Sequence, residues 1–162
     1  MSTFKNWTDY HHRLNLIFHA IVAVTMLPFV WLFLEIDTDR RSGAMTDPVL
    51  IGLFIAICTS LTVTAFIYKK KQITEAINQS TLRQKMIVYQ RVLVVNYLLL
   101  EGAAIFATLA FYLTANYLFA VIYIFILFVF SLGRPHLDKA CRDLYLNMSE
   151  REILIEREEI EA

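Results

Sequence analysis

Cysteine, glycine and proline are all scarce in this chain, and neither sign of charge is in excess. Two cysteines, Cys58 in an apolar run and Cys141 in a charged tail, offer no disulfide framework and no metal-ligand spacing. Four glycines among 162 residues leave no glycine-rich phosphate loop, and neither G-x-S-x-G nor H-E-x-x-H occurs. Fifteen basic residues cancel fifteen acidic ones, which excludes a nucleic-acid binder driven by bulk charge. Charged residues make up only 19% of the chain, against about 25% in an ordinary soluble domain. In their place 57% of the residues are hydrophobic, giving a mean hydropathy of +0.52. That excess is too large for one core, and it comes in blocks. A soluble globular enzyme is excluded. No catalytic machinery is visible, so the chain is expected not to be an enzyme.

A helix needs about 20 apolar residues to cross a bilayer. Four blocks meet or approach that length, at 14–34, 49–68, 92–113 and 118–132. The first is too long for a signal-peptide core and lacks a small-residue cleavage site, so it reads as a retained span. Hydrocarbon leaves no unpaired backbone group solvated, and blocks without a period of two mean helices. The fold class expected is an all-α integral membrane protein, a four-helix transmembrane bundle over 1–134 followed by a charged helical tail over 135–162. Basic residues set its orientation. With both termini and the second loop in the cytoplasm, thirteen Lys and Arg lie inside and two, Arg40 and Arg41, outside. A multi-pass protein of a bacterial inner membrane is the localisation this implies.

The stretch from Lys69 to Arg91 has no proline or glycine, and Ile73, Ile77, Leu82, Met86 and Tyr89 recur at helical spacing. The second and third spans are therefore expected to extend as a cytoplasmic hairpin turning at 78–81, with Ser80 as N-cap. In the tail, Ser149 and Glu152 are spaced as a capping box ahead of Ile153. Pro135 lies near a further helix start.

Glu101 carries the most information. It lies ten residues after Arg91, so about 15 Å into its helix and near the bilayer midplane. Insertion scales put an ionisable group there at about 2.5–3.5 kcal/mol, so it faces protein or water and has a partner. Desolvation favours its neutral form. Two roles follow: a proton- or cation-binding carboxyl, or a neutral carboxyl that cross-links helices. Tyr97 and Thr108 share its face, Asn96 is nearby, and His19 lies about 9 Å into the first helix. His12, Asn15 and His19 form a polar stripe leading inward, although His19 equally suits a hydrogen bond to a neighbouring helix. No second histidine lies in a span to complete a haem ligand pair, so neither a cofactor nor a metal is expected.

Packing signals are of two kinds. Gly52, Ala56, Ser60 and Thr64 recur every four residues on the second helix, a small-residue ridge expected to pack the bundle or join a second copy. Ala103, Ala107 and Ala110 make a similar smooth face on the third. The fourth helix carries Phe119, Tyr123, Phe125, Phe128 and Phe130 around most of its circumference, with Ala120 its one small residue. That suits lipid or a partner subunit. Trp7, Trp31, Tyr68, Tyr112 and Tyr117 fall near span ends, as interfacial belts require.

The stretch Leu100-Glu101-Gly102-Ala103-Ala104-Ile105-Phe106, followed by Leu113-Thr114-Ala115-Asn116, resembles the carboxylate-bearing helix of rotary ATPase ring subunits. That resemblance implies that Glu101 would bind the translocated proton or sodium ion. The family's glycine-rich partner helix has no counterpart, since the second span holds only Gly52. Taken whole, the chain resembles the small uncharacterised four-span membrane proteins of bacteria, families that imply no activity.

The functional expectation is a non-enzymatic membrane subunit or scaffold that docks a protein partner, or a further copy of itself, through its cytoplasmic helices. The alternative is a proton- or cation-linked transport component built on Glu101. The partners expected are the lipid bilayer and a protein, with no nucleic acid.

Overall fold

The computed structural model describes residues 4–35, 47–156 and 160. Asp37, Asp39, Arg40, Arg41 and Gly43 of the first loop, and Arg157 of the tail, lie outside the described residues. Among those described there are six helices and no strand: α1 (Trp7–Glu35), α2 (Pro48–Ile77), α3 (Leu82–Thr114), α4 (Tyr117–Gly133), α5 (Leu137–Asp143) and α6 (Met148–Ile155).

Most helix starts carry a side-chain cap, which satisfies amide groups that a helix leaves orphaned. Asn6 accepts from the Asp9 amide at 3.0 Å ahead of α1. Asp47 accepts from Val49 at 2.9 Å ahead of α2, whose first residue, Pro48, has no amide hydrogen to satisfy. Asn116 does the same for Leu118 at 2.9 Å. Two expected caps move by a few residues. The α3 cap is Thr81, whose hydroxyl accepts from the Gln84 amide at 3.3 Å, while Ser80 turns its hydroxyl to the Gln84 side chain. The tail's capping box is Asn147 with Glu150, and Ser149 merely donates to the Asn147 side chain. An Asx side chain caps as well as serine does, and only the backbone decides which is in register. The first helix runs unbroken through Pro28.

Three helices, α1, α2 and α3, are long and apolar enough to cross a membrane, and a fourth joins them if α4 and α5 count as one broken span. The apolar window of α3 is 56% buried, against 17% for α1 and for α2. The third helix is thus the inner one, and the first two spend most of their apolar surface outward. Leu27, Leu34, Val49, Ile67, Val121 and Leu132 are all well exposed. A monomer in water does not present that much apolar surface.

The chain divides into two units, and neither is contiguous in sequence. The first comprises Met1–His19, Phe66–Asn96 and Arg134–Ala162. Here the hairpin expected at 69–91 forms, and its apolar face, with Ala76, Met86, Tyr89, Val92 and Leu93, is buried. The tail folds onto this unit: Leu144 and Leu154 are buried, Lys85 pairs with Glu150 at 2.7 Å, and Lys69 with Asp143 at 3.6 Å. Tyr89 donates to Asp143 at 3.1 Å, and the Ile160 amide donates to the Lys5 carbonyl at 2.9 Å. The N-terminal arm closes it with Phe4 edge-on to Tyr10 and Trp7 stacked on Tyr10. Trp7 is therefore a core residue of this unit rather than a belt residue.

The second unit comprises Ala20–Ala65 and Tyr97–Gly133. Ala103, Ala104, Ala107 and Ala110 are fully buried, so the smooth face of α3 is a packing face. Phe29, Phe33, Phe111, Tyr117 and Tyr123 form a connected aromatic cluster around it. The α2 ridge does not pack inside this unit, which leaves the second of its two expected uses, joining a further copy. The ridge of Gly52, Ala56, Ser60 and Thr64 is exposed, and a side chain added at Gly52 would meet nothing within 4 Å. It is the opposite face of α2, with Phe54, Cys58 and Ala65, that packs inward. Nor is α4 uniform. Phe119, Ala120, Tyr123, Ile126 and Phe130 are buried, and Phe125 and Phe128 face out. Aromatic rings all round a helix hide its sidedness from composition alone.

Candidate functional site

Glu101 projects from the inner helix α3 and is only 6% exposed. Among the described residues of the second unit there is no Lys, Arg or His, and its other acidic residues, Glu35 and Asp47, stand at helix ends, so no described cation there balances its charge. Its hydrogen-bond partner comes from another helix. The Thr25 hydroxyl of α1 donates to Oε2 at 3.3 Å, long for an O–H···O bond. Oε1 has no hydrogen-bond partner, although a carboxylate offers about four acceptor positions. From α4, the buried Tyr123 hydroxyl also makes no hydrogen bond of ordinary geometry. The Tyr123 ring is fixed by stacking on Phe29, with centroids 3.8 Å apart. A buried acceptor without a partner costs about 1–3 kcal/mol. Two such groups in one unit are unlike a core that uses polar residues only as glue.

The other expected members do different things. Thr108 is buried but donates to its own helix, at the Ala104 carbonyl 2.9 Å away. Tyr97 donates to the Gly133 carbonyl at 2.9 Å, tying α3 to the end of α4. Asn96 is buried, but it and His19 belong to the first unit. The His19 side chain is exposed, with Nδ1 2.7 Å from the Asn15 carbonyl of its own helix. So Tyr97, Thr108 and His19 bond elsewhere; the hydrogen bond to Glu101 comes from Thr25, and the Tyr123 ring stacks on Phe29, four residues along α1 from Thr25. Both were missed in the sequence. Thr25 is the one hydroxyl residue in the first span, which is the signal that was available. Tyr123 sits among five aromatic residues of α4 and carries none.

Cys58 is buried and donates weakly to the Ala103 carbonyl at 3.5 Å, two residues along from Glu101. A groove of about 330 Å³ lies beside it between α2 and α4, lined by Ile55, Thr59, Thr62, Ile122, Phe125 and others. Among the described residues no three His, Cys, Asp or Glu side chains are grouped to hold a metal ion. Comparison with protein-family models, with curated proteins and with solved structures gives no match. The likeness of α3 to the ring-subunit helix therefore stays a local one.

Proposed function

We propose that this chain is a proton- or cation-linked membrane component whose working group is the Glu101 carboxyl, and that it is not an enzyme. The observation that carries the reading is the buried, unpartnered Oε1 in a unit whose described residues include no cation. An ionised Glu101 has to bring its own counterion, and a proton or a cation is what removes that cost. A purely structural cross-link would use both oxygens. On this reading four spans cross a bacterial inner membrane with both termini in the cytoplasm. Four short helices leave little room for a pore in one copy, so transport would involve an oligomer.

Reconstituted liposomes test it. Wild-type protein should dissipate an imposed pH gradient when a potassium diffusion potential drives it. Glu101→Gln, which keeps the shape and most hydrogen bonds of a neutral carboxyl, should abolish the flux while leaving thermal stability unchanged. Full flux in Glu101→Gln sinks the reading.

The docking reading has one observation in its favour. The apolar faces of the hairpin and tail are consumed by packing inside the first unit, yet Tyr145 and Met148 are 79% and 82% exposed beside the α5–α6 turn. A partner that recognises this turn would be lost from a detergent pull-down when both residues are changed to Ser.

A further inference from the structure

We infer that the base of the first unit, where its helices enter the apolar spans, is a binding surface for anionic phospholipid headgroups. The inference rests on the topology of four spans with both termini in the cytoplasm, and is independent of Glu101. The chain passes between this unit and the spans at four places: after His19, before Phe66, after Asn96 and before Arg134. Within ten residues of those places stand Arg13 on α1, Lys69, Lys70 and Lys71 on α2, and Arg91 on α3. Arg134, Lys139 and Arg142 follow α4, which makes eight basic residues against three acidic ones, Glu75, Asp138 and Asp143. The remainder of the unit's sequence has five basic residues and seven acidic ones. The unit is therefore polarised, with its positive end at the spans.

The fold keeps the acidic tail away from this end. Lys85, four residues past Thr81 in the hairpin turn, pairs with Glu150 at 2.7 Å, and Arg83 donates to the Ile160 carbonyl at 3.3 Å. Those contacts set α6, with Glu150 and Glu152, at the tip of the hairpin. At the base, Asp143 is already shared between Lys69 at 3.6 Å and the Tyr89 hydroxyl at 3.1 Å. Lys139 lies one turn before Asp143 on α5. Burial first and then Lys69 hold its ammonium below the ordinary value of 10.5; Asp143 opposes this and Arg142 adds to it. Arg13, Lys70, Lys71, Arg91, Arg134 and Arg142 are exposed. At about 1.5 Å per residue, the basic residues of α1, α2 and α3 stand about 6–11 Å along their helices from the crossing points. A headgroup layer is about 5–8 Å deep, and long basic side chains reach along the helix to meet it. These charges are spread over the ends of several helices and do not converge on one pocket. A layer of phosphates can meet them all, as the anionic cytoplasmic leaflet meets other basic segments beside a span, and one soluble anion cannot.

Electron spin resonance of spin-labelled phospholipids reads the lipid shell directly. In phosphatidylcholine vesicles at low ionic strength, wild type should hold labelled phosphatidylglycerol in its motionally restricted fraction several-fold in excess over labelled phosphatidylcholine. Lys70→Gln combined with Lys71→Gln should lower that excess, by at most about fivefold per charge, the full effect of one basic residue at an anionic surface. Lys5→Gln combined with Arg151→Gln removes the same charge from exposed positions outside the base and should leave the excess unchanged. Both double variants should melt as wild type does. An equal loss in the two doubles would show a response to net charge alone, and no excess in wild type would show no lipid preference; either overturns the surface. Loss of the excess on adding inorganic phosphate at constant ionic strength would reveal a soluble-anion site and overturns it too. Topology is read separately in the same vesicles. Protein tagged at both Ser80 and the C-terminus should be cut by protease at both sites or at neither, and single cuts overturn the four-span reading itself, whatever the lipid result.

Discussion

Among the described residues, two other than glycine hold left-handed backbone, Ala115 at φ 50° and Tyr145 at φ 49°. Each ends a helix. Ala115 donates to the Phe111 carbonyl at 2.9 Å, and Tyr145 and Leu146 donate back to Arg142 and Cys141 at 3.3 and 3.1 Å. A side chain in this region costs about 1–2 kcal/mol, most of which glycine avoids. Tyr145 is exposed, so its ring returns little to the fold. Tyr145→Gly should therefore stabilise the protein by about 1 kcal/mol in chemical denaturation in detergent. A loss of stability would mean that the ring packs on something in solution. His11 gives a pH-dependent counterpart. Burial first, and then the nearby His136, Arg134 and His12, hold it below its ordinary value of 6.5. The unfolded chain then binds the proton more readily than the folded one, so stability is lost as pH falls through 6.5 toward the folded value. His11→Gln should flatten that loss in melts taken between pH 7.5 and 5. At this scale the sequence was readable where chemistry was out of place, as with Glu101 in an apolar run. Thr25 and Tyr123 were not readable, because a lone hydroxyl acquires meaning only from the helix that faces it.

Helix extents follow from apolar runs and their polar ends. The spans expected at 14–34, 49–68, 92–113 and 118–132 each fall inside one observed helix, and the hairpin extension forms between Tyr68 and Val92. Which face of a helix turns inward was less accessible. Four small residues in register signal that close approach is allowed, and do not say by what. On α2 the inward positions are Phe54, Cys58 and Ala65, offset from the ridge by two residues or by one. The mutational consequence reverses the one that the ridge suggests. Ala56→Leu, on an exposed face, should leave the monomer's melting temperature in detergent unchanged. Ala120→Leu adds volume to a buried face of α4 and should cost about 1–3 kcal/mol. The opposite order would show that the ridge is covered in solution, by a second copy or a partner.

At the scale of the whole chain, the number of spans and the side on which the tail emerges are a single question. Should α4 and α5 fail to cross, the tail would leave on the same side as the first loop. Its five basic residues would then join Arg40 and Arg41, giving eight Lys and Arg on one side and seven on the other. With four crossings the division is thirteen to two, which is the bias that fixes orientation in multi-pass proteins. The first unit supplies an argument independent of charge counting. Lys69 to Asp143, Lys85 to Glu150 and Tyr89 to Asp143 all join the hairpin to the tail, and such bonds require both to emerge on the same side of the bilayer. Protease-cleavable tags at either terminus and at Ser80 should accordingly be cut in cells only after the membrane is permeabilised. A tag at Gly43, in the loop outside the described residues, should be cut from outside in spheroplasts. Cleavage of the C-terminal tag from outside, with Ser80 protected, would establish an odd number of crossings. The pairs Lys69–Asp143 and Lys85–Glu150 would then be impossible in the membrane.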